Sequence, residues 1–241
     1  MDQRVFATVR PVRGGDVTMD GRLRLDALAR YLQDAAEDDV ADAGLREPYA
    51  WVLRRCAAGI TSFPRLGQRL AVRTFCSGVG ARWAERTTTL AGDGGEMVRA
   101  TAVWVAVAAG SGRPCVLGPE FHRVYGPSAQ GRTVSSRLWH PRPPSPGGSA
   151  APGDGSRPWP LRASDFDASG HVNNTIHWSA AEDVLAGLGW LPASAEIEYP
   201  RPVLPGAQPR LLVTSPAPGE AWTWLADGED SRPFASVRLA R

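Results

Sequence analysis

From Trp51 to Gly110 the chain passes through WVLRRCAAGI, RLAVRTFCSG, RWAERTTTLAG and MVRATAVWVAVAAG, runs rich in Val, Thr, Trp and Phe. FPRLG, SGVGA, GDGG and GSGR break them up. β-Branched and aromatic runs punctuated by glycine and proline turn chemistry predict successive hairpins. A sheet of that kind must bury one face, and the segment before it supplies the cover. From Leu25, the residues Leu28, Leu32, Ala35, Ala36, Val40 and Ala43 recur near helical spacing, and Gly44 stands where a C-cap glycine belongs. Its Asp34, Glu37, Asp38, Asp39 and Asp42 are assigned to the solvated face. With the strand RVFATVRPV and the turn GGD ahead of the helix, the expected class is α+β, an antiparallel sheet wrapped around one long helix.

The same order returns after a break. HPRPPSPGGSAAPGDGSRPWP is dense in Pro, Gly and Ser and nearly devoid of aliphatic residues, so it cannot bury enough surface to hold itself folded. Residues 131–158 are therefore read as a linker between an N-terminal domain, 1–130, and a C-terminal domain, 159–241. Trp139 and Trp159 at its edges are read as anchors to the body. Beyond it a helix is expected from Asn174 to Leu188, ending at Gly189, then strands EIEYPRPV, PRLLVTS, EAWTWLAD and PFASVRLA. Only element order supports this repeat.

Charge excludes some partners. With 27 basic residues, all of them arginine, against 25 acidic ones, the formal charge is +2, too near neutral to mark nucleic acid as the main partner. Cys56, Cys76 and Cys115 form no CxxC pair, which argues against a disulfide scaffold or a zinc site and for buried small hydrophobes. MDQRVFATVRPV lacks an apolar leader core, and no apolar run approaches membrane-spanning length, so the expected setting is cytoplasmic, with no membrane partner. His122 and His140 are read as surface residues of loops, and Trp51, Trp83 and Trp104 as core of the first sheet.

The stretch richest in chemistry is DFDASGHVNN, Asp165 to Asn174, directly ahead of the second helix. Three readings compete. Asp, Ser, Gly and Asn are turn formers, and Asn173 or Asn174 makes a good N-cap, so the loop needs no function. Asp165, Asp167, Ser169 and Gly170 match the opening of an EF-hand, but its twelfth position, which must be a bidentate glutamate, is Ile176. A zinc pair fails too, because His171 and His177 lie on different faces of a helix. The third reading is catalytic. A helix N-terminus offers N–H groups to an oxygen that becomes negative, and an adjacent His171 or Asp167 can orient or deprotonate water.

DFDASGHVNN resembles the D-L-D-x-N-x-H-V-N-N signature of acyl-acyl carrier protein thioesterases. LDALARYLQDAAEDDVADAGL is similar to that family's first central helix, WVLRRCAAGITSFPRLGQRLAVRTFCSG to its W-V-L-x-R strand and following turn, RATAVWVAV to its R-A-T-S-x-W-V strand, and EIEYPRPVLPG to its E-Y strand. The landmarks run from about residue 4 to residue 213, outside the linker, in the family's order. The resemblance implies a tandem, or double, hot-dog fold. It implies hydrolysis of a fatty acyl thioester on acyl carrier protein or coenzyme A by a water-based mechanism, without cofactor or metal, in a monomer or homodimer.

By matching position it assigns catalysis to Asp167 and His171 and substrate binding to Asn173 and Asn174. Ser169 stands where the family has a catalytic asparagine and is expected to position water or substrate. The family's glutamate and cysteine fall at Pro202 and Val203. Glu198, roughly 13 Å along the strand from Pro202, would replace that glutamate only through a bulge. The resemblance puts the acyl chain in the N-terminal half, where one of the three tryptophans would line it, and Arg54, Arg55, Arg201 and Arg210 are candidates to meet an acidic carrier protein. Two alternatives share the fold: a protein that binds acyl chains or a carrier without turnover, and an acyl-thioester dehydratase.

Overall fold

A computed structural model describes residues 3–46, 48–144 and 155–241. The chain divides into two compact units, Met1–Leu23 with Arg30–Arg137, and Arg24–Ala29 with Leu138–Arg241.

In the first unit the strands are β1 (Phe6–Pro11), β2 (Tyr49–Ile60), β3 (Arg69–Val79), β4 (Trp83–Gly92) and β5 (Gly95–Ala108). They pair antiparallel in the order β1-β3-β4-β5-β2. The hairpins expected from the turn chemistry form, and β-branched residues face each other across them, as where Thr74 and Thr88 share a hydrogen bond of 2.8 Å. Helix α1 (Leu25–Asp42) covers the expected span, with Gly44 in the left-handed region at φ 62°. Its buried residues Leu28, Tyr31, Leu32 and Ala35 make one stripe.

Asp39 corrects the assignment of the acidic residues to solvent. Four residues beyond Ala35, it continues the buried stripe and is 0% exposed. Its carboxylate accepts from Arg4 Nε at 2.7 Å and from Arg86 Nη1 at 2.6 Å, and its carbonyl from Arg4 Nη2 and the Tyr125 hydroxyl. Tyr125 belongs to α2 (Pro119–Ala129), a helix absent from the sequence reading. Gly118, Gly126 and Pro127 masked it, although Phe121, Tyr125 and Ala129 are spaced to form the face that is buried. His122 thus lies exposed on a helix, not in a loop. The chain after α2 crosses β3 at Gly78, where a Cβ would collide with Val134.

The second unit contains β6 (Gly155–Pro158), α3 (Asn174–Leu185), β7 (Ser194–Glu198), β8 (Pro209–Ala217), β9 (Glu220–Asp227) and β10 (Pro233–Ala240). Its antiparallel order is β6-β8-β9-β10-β7, the same succession of first, third, fourth, fifth and second strands as in the first unit. α3 stops short of the expected Leu188, and β7 ends before Pro200 and Pro202 because proline cannot donate to a ladder.

The stretch expected as linker is structured at both described ends, while 145–154 lie outside the described residues. Residues 155–158 form β6 against Arg210–Val213. Trp139 and His140 donate backbone N–H groups to the two oxygens of Glu198, at 2.8 and 3.0 Å, and Trp224 Nε1 donates to Pro141 O. Trp139 is therefore held by its backbone N–H, the residue being 55% exposed. His140, expected at the surface, has a 4% exposed side chain packed edge-on against Trp222 and hydrogen-bonded to Ser236 Oγ. Among the described residues no helix is long and apolar enough to cross a membrane.

Removing one partner from a buried charge cluster strands the others. Asp39→Ala is expected to lower unfolding stability by about 3–5 kcal/mol, read from urea midpoints. An unchanged midpoint would show that the two arginines find water instead.

Candidate active site

The loop ahead of α3 stands on two apolar feet. Phe166 and Val172 bridge antiparallel, and both pack with Val203, Phe234 and Ile176 in one cluster. Val172 N donates to Val203 O at 3.1 Å, tying the loop to the chain after β7. Between the feet the backbone closes through Asp167 N to His171 O and Gly170 N to Asp167 O, both 3.0 Å, with Gly170 at φ 77°, where other residues are strained. Asp165, the first carboxylate of the motif, is structural: it is buried, accepts from Arg162 N, and its carbonyl takes Asn173 N.

The remaining polar side chains form a connected crest. Asp167 Oδ1 accepts from Ser169 N at 2.9 Å and from Ser169 Oγ, while Asp167 Oδ2 accepts from Asn173 Nδ2 at 3.3 Å. Ser169 Oγ lies 3.4 Å from His171 Nδ1. Asn173 N-caps α3, its Oδ1 accepting from Thr175 N and Thr175 Oγ1. Asn174, the first helical residue, has a backbone N–H with no hydrogen-bond partner among the described residues, and its carbonyl accepts from Tyr199 Oη at 3.0 Å. Asp167 and Ser169 are exposed and His171 half-buried.

So the loop brings together Asp167, Ser169, His171, Asn173 and Asn174. It does not bring in Glu198, whose carboxylate is engaged with Trp139 and His140 and is 3% exposed. Pro202 and Val203, beyond the end of β7, occupy the positions expected for glutamate and cysteine, and Val203 is core. Among the described residues Ser169 makes the one side-chain hydrogen bond to His171. Burial pushes the Cys56 thiol up to about 12 and raises that of Cys76, so neither is a ready thiolate. Arg55 donates to Ser135 O, Arg201 pairs with Asp227, and Arg210 donates to Ser156, so these arginines have internal work.

A twin of the loop precedes α1, and sequence reading missed it. Both follow a 3-10 turn closed by an aspartate, Asp16 or Asp165, whose carboxylate accepts from Arg13 N or Arg162 N. Both contain an antiparallel bridge, Val17 with Leu23 and Phe166 with Val172. Both turn at a left-handed glycine, Gly21 at φ 81° or Gly170. The shared spacing of Asp16 to Gly21 and Asp165 to Gly170 was the available signal. In the twin, Thr18, Asp20, Arg22 and Arg24 stand where Asp167, Ser169, His171 and Asn173 stand. The amide of Leu25, counterpart of Asn174, donates to the Glu182 carboxylate at 2.9 Å. An anion is therefore held at this position in one copy.

Known proteins share the architecture. Residues 3–125 match the family model of the acyl-ACP thioesterase N-terminal domain. An uncharacterized protein of Mycobacterium tuberculosis is 27% identical over 205 residues, 84% of this chain and 79% of its own length. The 12:0-ACP thioesterase from Umbellularia californica superposes with a TM-score of 0.80 at 17% identity, over 98% of this chain and 96% of that one. An acyl-ACP thioesterase from Bacteroides thetaiotaomicron gives 0.77 at 16% identity, over 98% and 97%.

A second buried imidazole stands on α3. His177 on α3 is 4% exposed, edge-on to Tyr199 with centroids 5.4 Å apart, and its Nδ1 has no partner among the described residues. Burial holds its pKa down to about 4, against an ordinary 6.5. As pH falls through that window the unfolded chain takes up a proton that the folded chain refuses, so stability falls with pH. Its share is roughly 2 kcal/mol by about pH 5. Denaturation midpoints compared at about pH 7 and pH 5 should therefore drop less in His177→Gln than in the parent by that amount; equal drops would place the acid sensitivity elsewhere.

Proposed function

The chain belongs to the acyl-ACP thioesterase family, and on that footing we propose that it hydrolyses acyl thioesters borne by acyl carrier protein, using Asp167 and His171 to activate water. The fold is read as a tandem hot dog: both units run their strands in the same order, and loops of the same geometry precede α1 and α3. One observation carries the functional reading. The polar crest Asp167, Ser169, His171 precedes the first amide of α3, which has no partner among the described residues, and the matching amide of the twin loop holds a carboxylate.

In this mechanism His171 takes a proton from water as the water oxygen attacks the thioester carbonyl carbon. The carbonyl π pair moves to oxygen, and the oxyanion is held by Asn174 N–H at the positive end of α3. Collapse reforms the carbonyl and breaks the C–S bond, and the leaving thiolate takes the proton from the imidazolium. Asp167 stays ionised and stabilises the transient positive charge. Ser169 replaces an amide and Pro202 a carboxylate of the family pattern. Those replacements, together with the exposure of Asp167, favour as second reading a carrier-binding protein without turnover.

Purified protein should release free fatty acid from acyl carrier protein thioesters, and His171→Ala and Asp167→Asn should each abolish release. Binding of the acyl carrier without release by the parent protein would select the second reading. Asn174→Pro isolates the oxyanion donor. The first helical position accepts proline, and Asn173 at φ −60° and ψ 140° already has the extended backbone that must precede one. The helix should persist by circular dichroism while kcat falls about 10²-fold; an unchanged kcat would remove Asn174 N–H from the mechanism.

A further inference from the structure

We infer that Ser169 is a positioning residue that fixes the tautomer of His171, with the proton on Nδ1 and the lone pair on Nε2. This rests on the reading of His171 as the water-activating base, but it concerns a different observable. A serine hydroxyl has one proton to give. Asp167 Oδ1 receives both the backbone N–H of Ser169, at 2.9 Å, and its Oγ, a short O–H to carboxylate contact. Charge-assisted bonds of that kind are the strong ones, so the proton goes to the carboxylate.

What Oγ then offers His171 is a lone pair. The 3.4 Å approach to Nδ1 can hold a hydrogen only if Nδ1 supplies it. A neutral imidazole carries a single N–H, so Nε2 is left bare, as a general base requires. The other end of the relay is equally determined. Asn173 Oδ1 is spent on Thr175, which turns Nδ2 towards Asp167 Oδ2 at 3.3 Å and keeps that carboxylate an acceptor. Among the described residues Asp167 makes no direct hydrogen bond to the imidazole, so its influence on His171 passes through Ser169. Ser169 thus positions His171, in place of the expected role of positioning water or substrate.

The test reads the imidazole directly. Nitrogen-15 NMR of the full chain, at a pH where His171 is neutral, should show the Nδ1–H form in the parent. In Ser169→Ala the Nε2–H form common to free histidine should take over, with the backbone spectrum otherwise kept. In parallel, kcat on an acyl carrier protein thioester should fall about 10- to 10²-fold in Ser169→Ala with KM unchanged, below the roughly 10⁴-fold cost of a wrong tautomer in a buried triad because water reaches this loop. Ser169→Thr should restore both, and Ser169→Asn should do so largely, since an amide can accept from Nδ1 and donate to Asp167. A parent His171 in the Nε2–H form, or a tautomer unmoved by Ser169→Ala, overturns the inference. An inactive parent protein with the expected spectra would sink the hydrolase reading and leave the relay standing.

Discussion

The site depends on the bridge between Phe166 and Val172. It pins a few residues of backbone at both ends, with its two side chains sunk in an apolar cluster. Once the ends are held, Asp167, Ser169 and His171 have few directions in which to point, and each finds its neighbour within hydrogen-bond reach. Ordering three polar side chains on a surface costs conformational entropy. Here the apolar feet and the helix cap meet that cost before any substrate arrives, which is what preorganisation means for an exposed loop.

The same division of labour runs through both units. Charges that serve the fold are buried and fully engaged: Asp39 between Arg4 and Arg86, and Glu198 on the backbone of Trp139 and His140. Charges offered to chemistry stay near water, where ionisation is cheap. Glu198 shows how closely the two classes can lie in sequence, since it stands one residue from Tyr199, whose hydroxyl reaches the carbonyl of Asn174.

Periodicity made most of the fold legible. β9 and β10 are the runs EAWTWLAD and PFASVRLA read as strands, and α1 keeps its expected ends. α2 and β6 were illegible for one reason: glycine and proline interrupt or bound both, and local rules treat these residues as punctuation while tertiary packing overrides them. Asp39 and His140 were misplaced because burial of a polar group depends on partners remote in sequence, Arg86 for one and Ser236 for the other. At the site, residue types marked the loop, yet nothing in their order reveals that Asp167 reaches His171 by way of Ser169. That link depends on where the left-handed turn at Gly170 aims each side chain.

The twin loops carry an evolutionary consequence. When two identical subunits build a site pair, every substitution is written twice, and a change that helps one position can harm its mirror. A single chain with the loop in two copies is released from that rule. Here one copy presents an imidazole and an amide without a partner among the described residues, while the other has Arg22 at the imidazole's position and its amide bonded to Glu182. The amide at the second copy fastens α1 to Glu182, so a substitution among Asp167, Ser169 and His171 leaves that fastening untouched.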